Sequence, residues 1–259
     1  MNAKPVLLFA VFVALLWSYA VEAAPINVRL TEGNYRGFLV VRSLDGAAIA
    51  YGEMSQKPTG SLVECRFILR FTDGSLYDES ATFSQNGVFR LEGYRRVQHG
   101  PSFPALEVSF DRKSGQYKAR SQAEKDVKQK TAGGTFEMPA DLYNGMALIL
   151  LKNLPGGVGA TVHLAVFTPE PRLIDMEWNW EGEDEVLLGG RSMKAMRSLV
   201  KLKIGGLAGV IASLAGKSPP DQRYWIVTGD VPAFVRFEGA MFLNGPVWRI
   251  EMTTVQWPK

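Results

Sequence analysis

The stretch LVECRFILRF (62–71) decides the fold. Val63, Cys65, Phe67, Leu69 and Phe71 share one side, and Glu64, Arg66 and Arg70 share the other, interrupted by Leu62 and Ile68. Alternation with a period of two marks a strand with one buried face. It gives Cys65, the only cysteine of the chain, the part of a small buried apolar residue. TDGSL (72–76) follows as a turn, because Asp73 can bond its own backbone and Gly74 accepts positive φ. A returning strand is predicted over 80–85. Asn86-Gly87 is a hairpin signal that leads into a further strand over 88–97.

The pattern continues outward from there. After His99-Gly100-Pro101, Leu106, Val108 and Phe110 alternate with Glu107, Ser109 and Asp111. DRKSG (111–115) turns the chain and 116–120 returns. SQAEKDVKQKTAGG (121–134) is polar and reads as a loop or a fraying hairpin tip. Further strands are predicted over 161–167, 173–180, 185–188, 193–204, 223–228, 234–242 and 247–256. EGEDE (181–185) reads as the solvated tip of a hairpin, and Asn244-Gly245 marks another between the last two strands.

Two segments break the alternation. In PADLYNGMALILLKNLP (139–155), Leu142, Met146, Ile149 and Leu150 take helical spacing, with Leu154 beyond. Asp141 is placed as an N-cap and Pro155-Gly156-Gly157 is a stop, so a helix is predicted over 142–153. In GGLAGVIASLAG (205–216), Leu207, Val210, Ile211 and Leu214 form an i, i+3, i+4, i+7 stripe, and no charge lies between Lys203 and Lys217. As a helix this piece is about 18 Å long at 1.5 Å per residue, too short to span a membrane. Three readings fit it: a plug in the mouth of a curved sheet, a movable lid over an apolar cavity, or a membrane-surface contact that lacks the usual basic face. On the lid reading, Leu207, Val210, Ile211 and Leu214 are the ligand contacts.

About ten antiparallel strands with one apolar face must bury that face, by closing up, by stacking on a second sheet, or by wrapping around helices. The expected fold is therefore mainly β (α+β): a large curved antiparallel sheet, or half-barrel, wrapped around one or two short helices. No linker or repeat divides the chain, so 24–259 is expected to be a single β-rich domain.

The N-terminus has a separate role. Lys4 precedes an apolar stretch over 6–17, and Val21-Glu22-Ala23 offers a cleavage site after Ala23. Residues 1–23 are expected to be a signal peptide and the protein to be periplasmic or secreted. The chain carries 29 Lys+Arg against 26 Asp+Glu, a net charge of +3, and no dense basic block, which argues against nucleic acid as a partner. With a single cysteine, no intramolecular disulfide can brace the fold.

DGSLYDE (73–79), QHGPSFP (98–104), MPADLYNGM (138–146), GKSPPD (216–221) with Trp225, and GPVWRIE (245–251) carry a resemblance. In these stretches the chain resembles exported bacterial proteins of unknown function with a half-barrel shell. In outline these are similar to the periplasmic carriers of the lipoprotein-localisation pathway. The resemblance implies an apolar cavity and a lipid-like ligand, and it brings no catalytic residues with it.

The residues themselves offer little chemistry. His99 and His163 are the only histidines, far apart in sequence and without metal-ligand spacing, so each reads as structural and no metal or cofactor is expected. There is no G-x-S-x-G elbow. GGVGA (156–160) lacks the Lys-Ser/Thr of a phosphate loop and reads as a helix stop. Asp73, Asp78 and Glu79 lie close enough in sequence for acid–base work, but Asp73 is explained by its turn. Met176, Trp178 and Trp180 alternate onto one strand face, which is core if covered, or a contact surface for an envelope partner through Trp178 and Trp180 if exposed. The expectation is a non-catalytic protein that binds a lipid or similar hydrophobic molecule. The alternatives are a filled structural module of the cell envelope or an envelope hydrolase using Asp73, Asp78 or His99.

Overall fold

The structure, a computed structural model, describes residues 24–122, 128–188, 190–203, 220–242 and 244–256. These form fourteen strands and one helix. The strands are β1 (Tyr35–Arg42), β2 (Ala48–Thr59), β3 (Leu62–Phe71), β4 (Leu76–Asn86), β5 (Val88–His99), β6 (Ala105–Asp111), β7 (Gln116–Gln122) and β8 (Lys130–Thr135), then β9 (Ala160–Phe167), β10 (Pro171–Leu188), β11 (Arg191–Lys203), β12 (Gln222–Val227), β13 (Ala233–Ala240) and β14 (Val247–Gln256). The helix, α1 (Ala147–Asn153), lies between β8 and β9.

All fourteen strands belong to one antiparallel sheet, in the order β8-β7-β6-β5-β4-β3-β2-β1-β14-β13-β12-β11-β10-β9. Two meanders are therefore zipped together along β1 and β14, whose register places Leu39 opposite Met252 and Val41 opposite Ile250. Those four side chains all lie in the core. On the other face of the same pair, Glu251 receives Arg42 at 3.5 Å and Arg236 at 2.9 Å. The close fit of β2 against β3 requires Gly52, since a Cβ there would run into the carbonyl of Ile68.

β8 and β9, the two ends of the sheet, share no ladder. The sheet curls until its ends approach through aromatic rings: Phe167 of β9 lies 6.0 Å from Phe110 of β6, 6.0 Å from Tyr117 of β7 and 6.3 Å from Phe136. Unsatisfied strand edges invite foreign pairing, and here each edge is treated differently. β8 is short, with an exposed KTAGGT sequence. β9 is covered by the incoming chain: Tyr143 N donates to His163 O, and His163 N donates to Asp141 O, both at 3.0 Å.

This covering explains why the helix is shorter than the sequence pattern predicts. Residues 141–146 pass through turns and a single bridge from Leu142 to His163 rather than a helix, and α1 begins only at Ala147, with Met146 as its N-cap residue and no side-chain cap. Asp141 instead bonds Nδ1 of His163 at 2.7 Å. Asn144 acts as a substitute strand residue, donating to Ala165 O and accepting from Ala165 N, each at 2.8 Å. Gly145, at φ +71°, then turns the chain into α1. Inside the sheet, α1 buries Ile149, Leu150 and Leu151, and its Asn153 side chain accepts from the backbone N–H groups of Arg29 and Leu30 at 2.9 and 2.7 Å. The N-terminal strap is fixed across the shell in this way. The second predicted helix, 206–215, lies outside the described residues.

Other expectations also shift. Residues 35–59, which the sequence pattern does not resolve, supply β1 and β2, and part of 121–134 forms β8. The two strands predicted on either side of EGEDE are one continuous β10, so EGEDE is not a hairpin tip. Glu181 and Asp184 are held on the sheet by Arg197, Glu181 is also bonded by Arg223 at 2.9 Å, and Asp184 accepts from Trp225 Nε1 at 2.7 Å. A register shift between Trp180 and Gly182 absorbs the polar insertion.

Asn144 is buried, so Asn144→Ala leaves both backbone groups of Ala165 unpaired away from water. The expected loss is about 2–3 kcal/mol in chemical denaturation, whereas Asn179→Ala, at an exposed position on β10, is expected to change stability by less than about 0.5 kcal/mol.

Candidate functional site

The concave face of the sheet encloses a cavity of about 1460 Å³. Its wall is built by alternation: each strand sends every second side chain inward. Phe67, Leu148, Leu164, Ile174, Phe234 and Phe237 supply much of the apolar surface. No helix among the described residues is long and apolar enough to cross a membrane.

A polar patch interrupts this apolar wall. Strand register puts Met54, Phe67, Glu79, Arg96 and Val108 in one row across β2 to β6, and Leu69, Tyr77, Gln98 and Leu106 in the next. Glu79 accepts the Tyr94 hydroxyl at 2.6 Å. Gln98, 4 % exposed, donates its amide to Pro104 O at 2.9 Å, while its Oε1 has no partner, and neither has Arg96 Nε. Burial alone pulls the Arg96 guanidinium down, but Tyr94, Tyr77 and Glu79 around it more than offset this and hold it above its ordinary value. Burial also raises Tyr77, Tyr94 and Tyr224, so all three phenols stay neutral.

A second charged pair lines the same cavity. Lys152 of α1 meets Glu32 of the N-terminal strap at 2.6 Å, with both side chains largely buried. The Glu32 backbone is also fixed by the Gln85 side chain, at 2.8 and 3.0 Å. On the convex face, the pairs are exposed instead, such as Arg66 with Asp78 at 2.7 Å.

No protein-family model matches the chain, and no curated protein matches it either. Among solved structures, it is similar to a β-barrel-like protein of a domain of unknown function, DUF1849, from Brucella abortus. The match covers 88 % of this chain and 98 % of that one, at 10 % identity and a TM-score of 0.44.

The residues singled out by sequence have different partners. Leu207, Val210, Ile211 and Leu214 lie outside the described residues. Asp73 closes its turn by accepting from Ser75 N at 2.8 Å and from the Ser102 hydroxyl at 2.7 Å. Asp78 points outward to Arg66 and Glu79 inward to Tyr94, as adjacent strand residues must, so the three carboxylates do not converge. His99 is exposed at the end of β5, while His163 sits between Asp141 and Asp175, at 2.7 and 3.6 Å. Among the described residues no cluster of three or more His, Cys, Asp or Glu is arranged to hold a metal ion. GGVGA contains the turn after α1, with Val158 N donating to Pro155 O at 3.2 Å and Gly157 at φ +80°. Trp178 is 2 % exposed and belongs to the core, whereas Trp180 is 51 % exposed, so of the two only Trp180 is on the surface.

Arg96 and Gln98 were hidden from sequence by a β-bulge. Phe89 and Leu91 point inward, but the register shifts where β5 passes Thr82 and Phe83. The bulge inserts one residue and exchanges the faces, so Tyr94, Arg96 and Gln98 turn inward in place of Arg95 and Val97. Gly93 and Tyr94 are the trace it leaves in the sequence.

Cys65 also lines the cavity and bears on reactivity. Burial pushes its thiol up from 9.0 to about 12, which lowers the reactive thiolate roughly a thousandfold. Iodoacetamide at pH 8 is expected to alkylate Cys65 at least ~100-fold more slowly in the native protein than in denaturant, as followed by mass spectrometry. Equal rates would show that the thiol is not shielded.

Proposed function

We propose that this is an exported, non-catalytic protein that holds a lipid or similar long apolar molecule inside its curved sheet. The observation that carries this reading is the cavity of about 1460 Å³ with its mainly apolar wall. It exceeds the roughly 300–1,000 Å³ usual for small-molecule pockets. Burial of apolar ligand surface there supplies about 25 cal/mol per Å², without any reacting group. Export rests on the leader-like character of residues 1–23, and the likeness in outline to periplasmic lipoprotein carriers accords with it.

Asp73 is taken up by its turn and by Ser102, and Asp78 by Arg66, which speaks against the hydrolase alternative. A contact with an envelope partner is the second reading, and it is favoured by one observation, the half-exposed ring of Trp180 on β10. Crosslinking from position 180 in cells should then trap one protein repeatedly.

Solvent extraction of natively purified protein, followed by mass spectrometry, is expected to yield a long-chain apolar molecule at near-stoichiometric amounts. Failure to extract any such molecule, together with failure to bind an apolar fluorescent probe, would overturn the reading. Leu148→Trp with Leu164→Trp narrows the cavity from two sides. This double variant is expected to weaken probe binding at least tenfold, which corresponds to about 1.4 kcal/mol, while near-UV circular dichroism and cooperative unfolding are retained.

A further inference from the structure

On the reading of this cavity as a hydrophobic-ligand site, we infer that its occupant is an amphiphile with an uncharged polar end, and that this end docks at Glu79, Arg96 and Gln98. The charges inside the shell explain the choice. Glu32 is matched by Lys152 at 2.6 Å, and Glu79 stands directly across from Arg96 in the register of β4 and β5. The other charged side chains at the cavity, Lys130, Arg172 and Asp230, are exposed, and Arg66 is paired outward with Asp78. Among the described residues the charges away from solvent are thus two of each sign, each facing one of the other. A ligand with a net charge would add one more buried charge with no counter-ion, which is the costly arrangement.

The patch also offers both kinds of hydrogen-bonding group. Arg96 carries only donors, and its Nε has no partner. Gln98 has used its amide on Pro104 and leaves Oε1 as an unmet acceptor. The two residues are two apart on one strand, so their side chains share a face. A donor and an acceptor left unmet side by side complement a group that both accepts and donates, such as a hydroxyl or an amide. A carboxylate, which only accepts, would satisfy Arg96 and face Glu79 with like charge.

The test compares three amphiphiles with the same acyl or alkyl chain, 1-monooleoylglycerol, oleate and oleylamine, as displacers of an apolar fluorescent probe from the full protein at pH 8. Monooleoylglycerol is expected to bind at least tenfold more tightly than either charged compound. Glu79→Gln removes the negative member of the patch and is expected to improve oleate relative to monooleoylglycerol by tenfold or more. Arg96→Gln is expected to do the same for oleylamine. If wild-type protein binds oleate or oleylamine as tightly as monooleoylglycerol, or if neither substitution changes the ranking, the inference fails while the hydrophobic-ligand reading stands. If neither the probe nor any of the three binds, that reading itself fails. The wild-type ranking decides the matter even if a variant does not fold.

Discussion

The pairing of β1 with β14 is the constraint on which the rest of the molecule depends. Every other ladder in the sheet joins strands that follow one another along the chain, so each can form by local reversal. β1 and β14 meet from opposite ends of the described chain, and closing so long a loop is entropically expensive. Apolar burial offsets this through Leu39, Val41, Ile250 and Met252 on the inner face. Only after this zipper forms do the two meanders make one sheet, and only then do β8 and β9 become its ends. Non-local pairing of this kind also makes folding slow compared with helical proteins of similar size.

Because the ends of the sheet are consecutive in sequence, the chain must cross from one to the other. The crossing segment does three jobs at once. Asp141 to Asn144 cover the exposed edge of β9, Gly145 redirects the chain, and α1 carries Lys152 and Asn153 to the N-terminal strap. Arg112 steadies its start by donating to the carbonyls of Met138 and Pro139 at 2.8 and 2.9 Å. The cavity is what remains between this crossing chain and the inner face of the sheet. Its polar groups face inward at a desolvation cost that only pairing or a bound partner relieves.

Much of this architecture was legible in the sequence, for reasons that also explain the gaps. Alternation in LVECRFILRF placed β3 and the burial of Cys65, and turn residues such as Asp73-Gly74 and Asn86-Gly87 placed its neighbours. Alternation is a local signal, however, and it failed wherever a distant partner decided the outcome. The helical spacing of Leu142 and Met146 is real, but hydrogen bonds to His163 and Ala165 hold that stretch against β9 instead. EGEDE has the composition of a loop, yet Arg197 and Arg223 hold its Glu181 and Asp184 within a strand. Trp178 and Trp180 occupy equivalent places in the pattern, but the ladder with β9 ends at Trp178, opposite Ala160, and Trp180 lies beyond it and is open. The stripe of Leu207, Val210, Ile211 and Leu214 points to a greasy ligand, and Glu79 stands out only as a member of an acidic run, while Arg96, Glu32 and Lys152 of the cavity wall lie in segments whose periodicity gives no hint of them.

The bulge in β5 carries a consequence for how such a wall can vary. Arg95 and Arg96 are neighbours, and what sends one to the interior and the other to the surface is the count of residues before them, not their chemistry. Loss or gain of one residue near Gly93 would trade the two arginines, and would replace Tyr94 and Gln98 inside the shell by Gly93 and Val97. The inner chemistry of a meander like this is thus rewritten by small changes of length as readily as by exchange of side chains. Two descendants with nearly the same composition could line their interiors quite differently.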